Sequence, residues 1–175
     1  MTDRFAHRLK LDQVHDGERV ELVADDAERA SVAERLGLDS LDCFQAHATL
    51  TRKGTLIEAD GRITAALNQS CVVTGEPVPA HVDEAFSLMF MPEPGGAHSD
   101  EEVELGSADC DVVFYDGAII DLGSAIADTL ALSLNPYPRS AGAEAALKEA
   151  GILTEAEAGP FAALAQLKKG GDQLT

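Results

Sequence analysis

The sequence predicts an α+β fold: an antiparallel β meander, forming a partly closed sheet, with one N-terminal helix and C-terminal helices. Three observations predict it. From Leu41 to Met91, successive runs alternate polar and apolar side chains, the period of half-buried strands. Asp25-Asp26 opens an alanine-rich stretch that stops at Gly37, and Asp121 opens a second stretch with leucine or isoleucine at every fourth position. Turn chemistry separates these runs at intervals that suit short connections.

In chain order, Phe5 to Leu11 suits a strand, and Arg19 to Val23 alternates as a half-buried strand does. The first helix follows, with Asp25 or Asp26 as cap, Ala27, Ala30, Ala33 and Leu36 on one stripe, and Gly37 as stop. Phe44, Ala46, Ala48 and Leu50 then form the apolar side of a strand that Lys53-Gly54 breaks. Thr55 to Ala59 reads as a short strand, Asp60-Gly61 as a hairpin turn, and Arg62 to Val73 as the returning strand. Thr74-Gly75-Glu76-Pro77 is a turn, and Val82, Phe86, Leu88 and Phe90 mark one side of the next strand. An acidic loop spans about 92–108. Asp111 to Tyr115 and Ala118 to Ile120 read as a hairpin turning at Asp116-Gly117. Leu122, Ile126, Leu130 and Leu134 define the main helix, which Asn135-Pro136 ends. Short helical segments are expected at Ala143 to Ala150 and Pro160 to Lys169. No internal repeat or coiled-coil heptad is present, and a single domain over 1–168 with a short tail at 169–175 fits the length.

Charge is the dominant compositional feature, at a formal net −18. Residues 1–62 carry nine Lys and Arg against 13 acids, and residues 139–175 carry four against five. Between Ile63 and Pro138 there are 13 acids and no Lys or Arg. Such a surface repels phosphate and attracts a basic protein; solubility alone, or cation binding, are the other readings of the same charge. The three cysteines, Cys43, Cys71 and Cys110, are odd in number and widely spaced, which fits a reducing compartment and a cytoplasmic protein. No apolar run has the length of a membrane span, and the N-terminal residues do not resemble a signal peptide.

No phosphate-binding glycine loop, nucleophile elbow or His-Glu-x-x-His motif occurs, so no catalytic, cofactor or metal residue is assigned and no enzyme activity is expected. The histidines are scattered; His47 and His81 on adjacent strands lack the third or fourth ligand a metal needs. Cys71 reads as a small buried hydrophobe. A metal-dependent nuclease would need converging carboxylates with a nearby cation, which the region from Ile63 to Pro138 cannot supply.

Three stretches together resemble the YceD family of bacteria. They are Cys71-Val72-Val73-Thr74-Gly75-Glu76-Pro77-Val78 with its following strand to Phe90-Met91-Pro92, then Ile120-Asp121-Leu122-Gly123, then Leu134-Asn135-Pro136-Tyr137-Pro138-Arg139-Ser140-Ala141-Gly142-Ala143 with Pro160-Phe161-Ala162-Ala163-Leu164. Their order covers roughly residues 40 to 168. The resemblance implies a non-enzymatic role in accumulation of large-subunit (23S) ribosomal RNA, through its synthesis, processing or stability during ribosome assembly. Many members carry Cys-x-x-Cys where this chain has Cys71-Val72-Val73-Thr74, and some add a cysteine cluster near the C-terminus that is missing here.

Combined with the charge, this predicts a ribosome-biogenesis factor whose partners are a basic ribosomal or assembly protein and the pre-ribosomal large subunit, with ribosomal RNA affected indirectly. Asn135, Tyr137 and Arg139 are the candidate interaction surface, since Tyr and Arg anchor interfaces. Two alternatives stay open. One is a direct RNA-binding module using Arg8, Lys10, Arg52 and Lys53; the other is a general acidic adaptor for protein interactions.

Overall fold

A computed structural model describes residues 5–93 and 111–152. These fall into two compact units. The larger comprises residues up to Gln69 together with Pro79–Pro136; the smaller comprises Ser70–Val78 and the chain from Tyr137 onward. The acidic loop, Cys110, the Pro160 motif and the tail lie outside the described residues, apart from Pro92 and Glu93.

The larger unit enters through strands β1 (Arg8–Lys10) and β2 (Glu18–Val23), separated by a 3-10 turn at Leu11–Gln13. Helix α1 (Asp26–Leu36) follows, then the long strands β3 (Ser40–Lys53), β4 (Leu56–Ser70) and β5 (Pro77–Pro92). Strands β6 (Asp111–Tyr115) and β7 (Ile119–Asp121) lead into α2 (Leu122–Ser133), and α3 (Ala143–Glu149) belongs to the smaller unit. The order in the main sheet is β2-β3-β4-β5-β6, while β1 and β7 form an antiparallel pair of their own.

The expected α+β arrangement is overturned. The described residues are mostly β and open in strands rather than a helix, and the five-stranded sheet is mixed because β6 runs parallel to β5. Asp116-Gly117 does turn, with Gly117 at φ 73°, but the strands on either side belong to different sheets. The connection from Pro92 to Asp111 exceeds the dozen residues that a parallel pairing requires. Val113 and Tyr115 can thus face the core beside Phe90.

A second correction concerns β4. It runs unbroken through Asp60-Gly61, with Asp60 opposite Thr49 and Gly61 opposite Ala48. The hairpin instead turns at Gly54-Thr55, where Gly54 takes φ 68° and Lys53 pairs with Leu56. Gly61 is required by proximity rather than by its dihedral angle. A Cβ there would lie 2.0 Å from the His47 carbonyl oxygen and 2.8 Å from Cζ of Phe86.

Helix α1 has its expected start and stop. Asp25 accepts a hydrogen bond from the Glu28 N–H while Glu28 reaches back to the Asp25 N–H, and Gly37 closes the helix at φ 65°. Of the predicted stripe, Ala33 is buried and Leu36 packs against the core, joined by Val32, while Ala27 and Ala30 are exposed. In α2 the stripe is as read: Leu122, Ile126 and Leu130 are fully buried. They join Phe44, Leu50, Ile57, Ile63, Leu67 and Phe90 in one continuous core. Full burial of such side chains contributes roughly 1.5–3 kcal/mol each.

Candidate interaction surfaces

Asp121 ties the N-terminal strand to α2. Its carboxylate caps the helix by accepting the Ser124 N–H at 3.0 Å, accepts the His7 N–H at 3.2 Å and pairs with Arg8 Nε at 3.4 Å. The His7 carbonyl in turn accepts the Leu122 N–H. Gly123 lies where a Cβ would come within 2.5 Å of the Phe5 carbonyl oxygen, so the strand and the helix approach backbone to backbone. Phe5 is buried, and its ring packs on Phe44 with centroids 4.7 Å apart.

The four basic residues considered for RNA are distributed over this frame. Arg8 is held by Asp121, and Lys53 Nζ donates to both oxygens of Glu58 at 2.8 and 2.9 Å, which holds the ammonium above its ordinary pKa. Arg52 donates from its guanidinium to the carbonyls of Leu11 and Gly54. Lys10 is exposed on β1 opposite Ile119. Local hydrogen bonding thus occupies most of the cationic groups that would have to meet phosphates. On the outer sheet face, Glu21 pairs in register with His47, and His47 with Arg62, which forms an ion pair with Asp83. Arg62 holds the Asp83 carboxyl below its usual range.

In the smaller unit, the chain turns through Cys71 to Glu76. The Cys71 N–H donates to the Glu76 carbonyl and the Gly75 N–H to the Cys71 carbonyl, with Gly75 at φ 73°. The Pro138–Ser140 segment lies against this turn, its Pro138 carbonyl accepting the Val72 N–H at 2.9 Å. The Cys71 sulfur accepts N–H groups from Val73 and Thr74 at 3.4 Å and from Ser140 at 3.2 Å. Cys71 is only 3% exposed, and burial pushes its thiol up, but hydrogen bonds from Thr74 and Ser140 outweigh that. The net effect lowers its pKa from 9.0 to about 6. Cys71 is buried, as its sequence context suggests, and the three N–H groups on its sulfur favour the thiolate form. The signal for this was present: a cysteine followed by Thr-Gly turn chemistry exposes two successive N–H groups to its sulfur.

Where the second cysteine of a Cys-x-x-Cys would stand, Thr74 Oγ1 lies 3.1 Å from Ser140 Oγ and donates to Glu76 at 3.0 Å. Hydroxyl bonds from Ser140 and Thr74 hold the Glu76 carboxyl below its usual range. Among the described residues no group of three His, Cys, Asp or Glu side chains is placed to hold a metal ion.

This hydrogen-bond set predicts a pH effect. Because the folded-state pKa of Cys71 lies below the unfolded value, the stabilisation is full above pH 9 and disappears as the pH falls toward 6. Unfolding of the wild type and of Cys71→Ser, both in a Cys43→Ser/Cys110→Ser background, should diverge as pH rises through that window. A gap of constant size would contradict the assignment.

Of the three residues proposed as an interaction surface, Asn135 belongs to the larger unit and Tyr137 and Arg139 to the smaller. All three are exposed, Tyr137 at 71%. The Asn135 carbonyl accepts a hydrogen bond from Gln69 Nε2 at 2.9 Å.

The family profile described as large ribosomal RNA subunit accumulation protein YceD matches residues 59–168, more than half of the chain. The chain belongs to the YceD family. The match includes the Cys71 turn, the Asp121 cap, Gly123 and the Tyr137–Ser140 segment. Comparison with curated proteins and with solved structures gave no significant match. Among the described residues of this family member, no helix is long and apolar enough to cross a membrane.

Proposed function

We propose that this YceD-family chain is a non-enzymatic, cytoplasmic ribosome-biogenesis factor that sustains large-subunit ribosomal RNA by acting through a basic ribosomal or assembly protein. Family membership over residues 59–168 carries the reading. The charge distribution supports the indirect route: a stretch with 13 acids and no Lys or Arg cannot neutralise phosphates, and three of the four candidate RNA cations, Arg8, Lys53 and Arg52, are engaged with Asp121, Glu58 and main-chain carbonyls. Electrostatic attraction would instead speed encounter with a cationic protein.

The direct test has two parts. Loss of the gene should lower large-subunit relative to small-subunit ribosomal RNA, and the full chain should restore the ratio. The purified protein should bind bare ribosomal RNA weakly at physiological salt. Tight RNA binding with a steep salt dependence, abolished by replacing Arg8, Lys10, Arg52 and Lys53 with Ala, would favour a direct RNA-binding module instead.

A further inference from the structure

Parallel pairing aligns Met89 with Val112 and Met91 with Phe114. Their strand neighbours Leu88, Phe90 and Tyr115 are buried, and Val113 packs against the core. Since side chains alternate across a sheet, Met89, Met91, Val112 and Phe114 share the opposite face. Phe114 is 57% exposed, on the strand that ends the sheet order. A phenyl ring beside two methionines and a valine is a contiguous apolar patch rather than a scattered surface hydrophobe.

The frame around this patch is acidic. Asp116 follows β6 two residues beyond Phe114, and Glu93 follows β5 two residues beyond Met91, with its N–H bonded to the Tyr115 carbonyl at 2.9 Å. Both are exposed, and the sequence between Ile63 and Pro138 contains no Lys or Arg.

We infer that this patch docks an extended segment of a partner protein in which apolar and cationic side chains alternate. Its apolar groups would cover Phe114 and Met91, and its Lys or Arg groups would meet Asp116 and Glu93. The inference rests on the reading that the protein works through a basic partner, and it names the surface. Charge complementarity selects this occupant. Nucleic acid would bring phosphates against carboxylates, and a second copy related by two-fold symmetry would bring the same carboxylates face to face. Methionine suits such a surface because its flexible thioether adapts to varied apolar partners.

The test titrates the full-length protein with a labelled peptide alternating Lys and Val, and with an all-Lys peptide of equal charge, by fluorescence anisotropy. Phe114→Ser and, separately, Met91→Gln should weaken the Lys–Val peptide by about tenfold and leave the all-Lys peptide unchanged. The combined Glu93→Gln/Asp116→Asn variant should weaken both peptides and flatten their salt dependence. Circular dichroism and thermal unfolding confirm that each variant is folded. Wild-type affinity of both apolar variants for the Lys–Val peptide overturns the inference, as does a dimer in light scattering that Phe114→Ser dissolves. The outcome is separable from the ribosomal reading. Lost peptide binding with normal ribosomal RNA in cells carrying Phe114→Ser supports the surface and counts against that reading.

Discussion

Gly61→Ala is expected to lower the unfolding free energy by about 3 kcal/mol, the upper part of the usual range for overpacking. Alanine normally improves a strand over glycine by roughly 0.5–1 kcal/mol, because glycine loses more backbone freedom on folding. Here that gain is outweighed. The new Cβ would sit 2.0 Å from the His47 carbonyl oxygen and 2.9 Å from the Ala48 Cα, both main-chain atoms of β3, and 2.8 Å from the Phe86 ring. Relief requires β3 and β4 to part, which breaks the register that places Ala46, Ala48, Ala59 and Ile63 in the core. Urea unfolding of the full chain reads the loss directly. A variant as stable as the wild type would mean that the strands separate at little cost.

Gly123→Ala is expected to destabilise by about 2 kcal/mol, with the damage concentrated at the N-terminus. Alanine at a helical position should stabilise by roughly 1 kcal/mol relative to glycine. Against that, the Cβ would lie 2.5 Å from the Phe5 carbonyl oxygen and 2.7 Å from the His7 nitrogen. Neither atom can swing aside as a side chain would, so overpacking of about 3 kcal/mol outweighs the helical gain. Hydrogen exchange should show amides of residues 5–10 opening well before those of β3 and β4. Uniform protection across both regions would show that the N-terminal strand does not depend on this approach.

These two glycines also show what the sequence could express and what it could not. Helix α2 was legible because Asp121 supplies a cap and Leu122, Ile126 and Leu130 repeat at helical spacing, all local information. The α1 caps were equally local. Asp60-Gly61 was misread because a glycine needed for close approach looks like one needed for positive φ; only the partner strand distinguishes them. The parallel placement of β6 was hidden for a similar reason, since its partner is chosen across a long connection. Yet the apolar runs Leu88-Met89-Phe90-Met91 and Val112-Val113-Phe114-Tyr115 do interrupt the period-2 pattern. Strands apolar on both faces announce that something covers both. The Cys71 thiolate was half legible: its turn was read, but the Ser140 N–H that completes its environment lies 69 residues away.

The pairing of β1 with β7 and the Asp121 knot bear on how the chain matures during translation. Arg8 and Asp121 are 113 residues apart, whereas β2, β3 and β4 find partners among near neighbours. A nascent chain can therefore assemble its hairpins early, while Arg8 and Leu9 wait for Asp121 and Ile120 to be made. Strand β1 is therefore locked late, so truncations ending before Ile119 should keep hairpin structure yet leave residues 8–10 open to proteases.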